Sequence, residues 1–200
     1  MDYVIILGSI ITAYIIGSIP TGYILVKLIK GIDIRTVASG STGATNVKRV
    51  MGLKGFIITM LLDALKGMLP VICAKIISAK FGITHSLAPF VAVAVILGHS
   101  KSIFLNFTGG KSVASGGGTI FGLNWLVGLI SFVIWFVLTY TTRYVSVGSI
   151  VAIILSPLWM YLFKMPLSYV VYCAVGAAYV VYLHRGNIQR LLKGEENKVR

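Results

Sequence analysis

The sequence predicts an all-α, polytopic membrane bundle of about seven helices, and three observations carry that reading. Hydrophobic residues fill 57% of the 200 positions and charged residues only 12%, with a mean hydropathy of +0.93, the balance of a chain that sits in lipid. The apolar runs recur at lengths suited to crossing a bilayer and are separated by short polar connections. The formal net charge of +13 is gathered in a subset of those connections, as the positive-inside rule requires of loops that stay in the cytoplasm. Nucleic-acid binding is the other reading of such a charge. The interleaved aromatic platform it needs is missing, so no nucleic-acid partner is expected.

In chain order, Val4 to Val26 is the first span, with Gly17, Pro20 and Gly22 marking a kink in its second half. The N-terminus MDYVIIL carries an acid where a signal peptide needs a basic region, so this span is expected to be retained. Lys27, Lys30, Arg35, Lys48, Arg49 and Lys54 crowd the loop that follows against the single acid Asp33, which puts the loop inside and the N-terminus outside. Gly55 to Ile77 is the second span. Asp63 and Lys66 lie three residues apart in it, on one helix face where they can pair. Ile83 to Leu97 forms the third, and a polar, glycine-rich stretch runs from Gly98 to Gly118.

Two readings follow. Thr119 to Tyr140 as one span gives six crossings, whereas Val113 to Leu123 and Trp125 to Tyr140 as separate helices give seven. The tail carries Arg185, Arg190, Lys193, Lys198 and Arg200, and only seven crossings leave it in the cytoplasm. Val147 to Tyr161, interrupted by Pro157, and Leu167 to Leu183 complete the bundle, so residues 1–200 read as one membrane-embedded domain. Cys73 and Cys173 sit singly in apolar runs, and neither a disulfide nor a metal site is indicated.

The functional signal lies in the polar segments, which this topology gathers on the cytoplasmic face. Ser39 to Arg49, SGSTGATNVKR, offers backbone amides, hydroxyls, an amide side chain and two cations, with no acid until Asp63. That inventory suits a phosphate, although a plain connecting loop is the competing reading. In the second segment Gly109 and Gly110 precede Lys111 at the start of a small-residue helix, another anion-favouring arrangement. The GGKS sequence is not a nucleotide-binding phosphate loop, because Leu105 stands where that motif needs glycine and no strand precedes it. Lys111 also reads as an interfacial lysine that snorkels. His99 reads as a hydrogen-bonded helix-end histidine, and His184, before Arg185, Gly186 and Asn187, as an orienting residue or a proton acceptor.

The segments SGSTGATNVKR, GHSKSIFLNFTGGKSVA and GNIQRLLKGEE, with GSIP in the first span and DALKG in the second, resemble the signature set of the PlsY family. These are bacterial acyl-phosphate glycerol-3-phosphate acyltransferases, and the resemblance runs in order over essentially the whole chain. Two departures stand out: Ser41 replaces an Asn of the family's SGNxGATN, and Ser112 and Ser115 fall within its GGKGVAT. The side-chain roles at these positions are not carried over. The backbone geometry is.

The resemblance implies transfer of a fatty acyl group from acyl phosphate to the sn-1 hydroxyl of glycerol 3-phosphate, at the inner face of a bacterial cytoplasmic membrane. Arg49 suits a forked phosphate contact and Lys111 a compact charge on the acyl phosphate. Ser39, Gly40, Thr45, Asn46, Gly109, Gly110, Arg143 and Ser146 make up the substrate-binding set, and Asn187 positions substrate. Acyl phosphate is already activated, so direct attack by the hydroxyl is expected, with no acyl-enzyme, cofactor or metal. His184 or a substrate phosphate oxygen takes the proton. Membrane lipid is the surrounding partner, and the oligomeric state is left open, a monomer being compatible. The rival class is a small transporter of an anionic metabolite, which would carry ionisable residues through the bundle or an inverted repeat.

Overall fold

The computed structural model describes residues 2–83 and 87–199, and the helical secondary structure dominates it. Thr84 to Ser86, at the expected start of the third span, and Arg200 of the basic tail lie outside the described residues. Among the described residues there are nine α-helices: α1 (Asp2–Ser18), α2 (Thr21–Lys30), α3 (Ala44–Phe81), α4 (Leu87–Ser100), α5 (Val113–Leu123), α6 (Trp125–Thr142), α7 (Val145–Leu162), α8 (Leu167–Leu183) and α9 (Arg185–Leu192). The chain forms two compact units, Met1–Thr119 and Ile120–Arg200.

By length and composition, Tyr3–Lys30, Ala44–Phe81, α6 and α7 can each cross a membrane, and α8 with α9 makes a fifth if that pair, bent by 59°, counts as one. The apolar helices α4 and α5 are shorter, at 14 and 11 residues. Leu61, Leu69, Phe136 and Val175 point outward, as lipid-facing side chains do.

In the first unit the kink expected near Pro20 is a complete break. α1 stops at Ser18 and α2 starts at Thr21, because proline cannot continue the ladder. α1 packs on α4 through glycines placed where the backbones nearly touch. A Cβ on Gly17 would lie 2.4 Å from the Val95 carbonyl oxygen, and one on Gly98 would lie 2.4 Å from that of Tyr14. The same device joins α3 to the start of α5, where Gly67 meets the Ser115 carbonyl and Gly118 that of Ala64.

The loop expected to run through Arg49 is corrected. It ends at Gly43, and Ala44–Met51 forms a first arm of α3, set off from the spanning arm by Gly52 at φ +68° and ψ −161°. That backbone is open to glycine and strained for other residues. The arm is helical because Val47 and Val50 pack with Val26 and Ile34 in a small apolar core beneath it.

In the second unit, Asn124 separates α5 from α6. Its side chain accepts hydrogen bonds from the Leu126 and Val127 amides, both at 3.0 Å, and so caps α6. The two-helix reading of this region therefore holds. α6 ends at Arg143, which adopts φ +65° and donates its amide to Thr139. α7 packs on α6 through Gly148, where a Cβ would lie 2.6 Å from the Trp135 carbonyl oxygen.

Gly17→Ala and Gly98→Ala each insert a methyl against backbone that cannot move alone. Each is expected to destabilise the protein by roughly 1–3 kcal/mol, read as a lowered melting temperature in detergent. Gly8→Ala, with nothing within 4 Å of the added carbon, is the control and should melt like the parent.

Candidate active site

The structure gathers the sequence-predicted residues into three constellations. The first is the turn before α3. Asp33 caps a 3₁₀ turn at Ile34–Thr36 and holds the Arg35 guanidinium, with Arg35 Nη2 2.7 Å from Asp33 Oδ2. These hydrogen bonds keep the Asp33 carboxyl down at about 2. Arg35 is thereby committed and also lies over the Tyr23 ring. Arg49 differs: it is exposed and makes no ion pair among the described residues.

Asn46 organises this turn. It is 2% exposed, and its Nδ2 donates to the carbonyls of Ile34 (3.2 Å), Val37 (3.0 Å) and Ser41 (2.9 Å), while Oδ1 accepts from the Ser39 amide. Its amide is spent on the loop's own backbone, so the role the geometry supports is to shape the turn that carries Ser39 and Gly40. Gly40 sits at φ +66°, where glycine is favoured. Ser39 is exposed and Thr45 half-buried. Ser41 Oγ accepts from the Gly43 amide at 3.3 Å, a local turn bond.

The second constellation follows α4. The chain turns tightly between Ser102 and Thr108, which pair as an isolated bridge, then runs through Gly109, Gly110 and Lys111 into α5. The Gly110 amide donates to the His99 carbonyl at 3.1 Å, so it is engaged within the protein. Ser112 has φ +58° and is fully buried, with its hydroxyl donating to the Ile96 carbonyl at 2.8 Å. Its left-handed backbone is one that glycine adopts most readily.

The third constellation lies in the second unit. His184 ends α8, is 3% exposed, and its Nδ1 is 2.8 Å from the Val180 carbonyl. A carbonyl only accepts, so Nδ1 carries a proton. Glu196 folds back over α9. Its Oε1 accepts from Asn187 Nδ2 (2.6 Å) and Ser146 Oγ (2.9 Å), and its Oε2 accepts from Arg190 Nε (2.7 Å). Burial by itself would raise the Glu196 pKa, but the hydrogen bonds from Asn187, Arg190 and Ser146 outweigh it and leave it lowered. Arg143 accepts at its carbonyl from the Val199 amide at 2.8 Å, and its guanidinium lies over Tyr140.

Sequence reading missed two features. Glu196 belongs to the quoted GNIQRLLKGEE segment, and its acid amid bases was the available signal. His99 contacts Asp63, with Nδ1 3.6 Å from Oδ1, and nothing local announces a partner so far away in the chain. The expected Asp63–Lys66 pair is present, at 2.9 Å with both side chains buried.

A structure that is almost wholly helical among the described residues, with apolar side chains facing outward, defines an integral membrane protein. The glycerol-3-phosphate acyltransferase family model matches residues 7–194, and the chain belongs to that family. The glycerol-3-phosphate acyltransferase of Trichormus variabilis is 43% identical, over 95% of this chain and 90% of the relative. That of Aquifex aeolicus is 40% identical, over 94% and 96%. The crystal structure of PlsY (YgiH), an integral membrane glycerol 3-phosphate acyltransferase, in its glycerol 3-phosphate form aligns with a TM-score of 0.91 at 39% identity, covering 98% of this chain and 96% of that one. Its lysophosphatidic acid form aligns with a TM-score of 0.87 at 36% identity, covering 98% and 95%.

Because the folded Glu196 pKa is lowered, the clasp stabilises the protein above the ordinary value of 4.5 and is lost as pH falls through the folded value. Glu196→Ala is expected to cost roughly 2 kcal/mol at pH 7 and to remove that acid limb from the melting curve. Glu196→Gln keeps an acceptor for Asn187 and Ser146 and should fall between the two.

Proposed function

We propose that this acyltransferase moves a fatty acyl group from acyl phosphate to the sn-1 hydroxyl of glycerol 3-phosphate, giving lysophosphatidic acid and inorganic phosphate. The observation that carries the reading is the pair of cations beside shaped turns: Arg49, exposed on the helical arm that follows one turn and in no ion pair among the described residues, and Lys111, seated between Gly110 and Ser112. Two phosphate-bearing substrates repel each other strongly at a low-dielectric surface, and such cations offset that repulsion. Arg49 presents a planar fork to a phosphate and Lys111 a compact charge, with Ser39, Gly40, Thr45 and Gly109 adding neutral donors. The glycerol 3-phosphate and lysophosphatidic acid forms of the related PlsY crystal structures support the acceptor and the product.

In the reaction the glycerol hydroxyl oxygen forms an ester bond to the acyl carbon as the bond from that carbon to the phosphate oxygen breaks. The electron pair leaves with phosphate, and the hydroxyl proton goes to His184 Nε2 or to a substrate phosphate oxygen. Asn187, with Ser146 and Arg143, positions substrate. Catalysis comes from placement and from stabilising the oxyanion. We place the enzyme in a bacterial cytoplasmic membrane with seven crossings, the N-terminus outside and the active site facing the cytoplasm. The clustering of basic residues supports this orientation.

Purified protein in detergent, given palmitoyl phosphate and glycerol 3-phosphate, is expected to release phosphate and form lysophosphatidic acid. No turnover, together with counterflow of an anion in liposomes, would replace the enzyme by a transporter. Arg49→Ala and Lys111→Ala should each lower kcat/KM by at least about a hundredfold, and near-normal turnover in both would overturn the site. For the base, His184→Ala should abolish a near-neutral limb of the pH–rate profile. A limb that persists assigns the proton to phosphate.

A further inference from the structure

The segment that carries Lys111 is held to α4 on both sides. Beyond Lys111, Ser112 takes the left-handed conformation and bonds the Ile96 carbonyl. Before it, Gly110 rests on His99, and Gly109 on the backbone of His99 and Ser100. A Cβ on Gly109 would lie 2.2 Å from the His99 carbonyl oxygen, and one on Gly110 would lie 2.1 Å from His99 Nε2 and 3.0 Å from Cδ2. Neither glycine has a positive φ, so steric approach, not backbone freedom, requires glycine there. The Gly110 amide also bonds the His99 carbonyl. Both the backbone and the ring of His99 therefore set where this turn sits.

The ring is itself enclosed, with no hydrogen bond at its Nδ1 among the described residues. His99 is 7% exposed, and its Nδ1 lies 3.6 Å from Asp63 Oδ1, a carboxylate only 1% exposed. Thr21 Oγ1 donates to the same oxygen, and Lys66 Nζ lies 2.9 Å from it. Lys66 also donates to the Ile19 carbonyl at 2.7 Å. A carboxylate fixed by two helices thus backs one edge of the imidazole, and Gly110 closes the other.

We propose that His99 is a positioning residue: packed between Asp63 and Gly110, it fixes the Gly109–Gly110 backbone and so sets where Lys111 meets substrate phosphate, governing substrate affinity more than the acyl-transfer step. This rests on the reading that Lys111 binds a substrate phosphate.

The test separates the two edges of the ring. In His99→Asn the side-chain amide still reaches Asp63 but no longer backs Gly110, so the buried pair is kept while the turn loses its support. With purified full-length protein in detergent, and melting curves confirming the fold, the substrate whose KM rises in Lys111→Ala should show a KM raised at least about tenfold in His99→Asn, with kcat within about threefold of the parent. Gly110→Ala, which keeps His99 and Asp63, should raise the same KM and carries the test should His99→Asn fail to fold. The double variant His99→Asn with Gly110→Ala should be no worse than the worse single one, because the added methyl then meets no ring. Unchanged KM values in His99→Asn and Gly110→Ala, a loss confined to kcat, or effects that multiply independently would overturn the proposal while leaving Lys111 in place. Parental KM values for both substrates in Lys111→Ala would overturn the Lys111 reading and this proposal with it.

Discussion

The first unit depends on how the break at Ile19 and Pro20 is satisfied. Interrupting a helix frees backbone carbonyls, and each would cost several kcal/mol if buried alone. Here Ser102 Oγ donates to the Ser18 carbonyl at 2.6 Å and Lys66 Nζ to that of Ile19 at 2.7 Å. A buried lysine demands an anion, and Asp63 answers it. Asp63 in turn holds Thr21, at the start of α2, and lies beside His99, at the end of α4. One backbone defect therefore ties α1, α2, α3 and the turn after α4 together. Asp63 and Lys66, which a transporter reading would assign to a pathway, each have structural partners.

Close helix approach is the second requirement of a bundle in which lipid gives no hydrophobic drive between apolar faces. Glycines at positions 17, 67, 98 and 118 each face backbone of a neighbouring helix. Van der Waals contact and paired polar groups then supply the association that burial supplies in water. The polar turns obey the same accounting. Asn46 closes one by bonding three carbonyls, and Glu196 closes another by gathering Asn187, Ser146 and Arg190. Each loop is thereby closed from within.

Much of this was legible in the sequence. Hydropathy located the apolar helices, Pro20 marked the break, the three-residue spacing of Asp63 and Lys66 announced their pair, and the motif segments led to the acyltransferase family. The hydroxyl, glycine and cation content of two turns pointed to phosphate. Less legible were the roles within those turns. Asn46 looks like a ligand donor in a list of polar residues, yet its amide faces its own loop. Ser39 to Arg49 looked like a loop throughout, because the helical arm from Ala44 is stabilised by packing on Val26 and Ile34 and not by its own propensity.

What the sequence determined by itself is whatever hydropathy, charge and local spacing encode: helices in lipid, basic connections, a proline break, an intrahelical ion pair and the chemistry of the motif segments. Only the tertiary structure decided which group satisfies which. The bonds from Lys66 to Ile19 and from Ser102 to Ser18 join residues 47 and 84 positions apart. Likewise, the need for glycine at 110 comes from the His99 ring pressed against it. Such contacts depend on where two helices cross, and a crossing is fixed by packing across the whole unit, which no local pattern in the chain records.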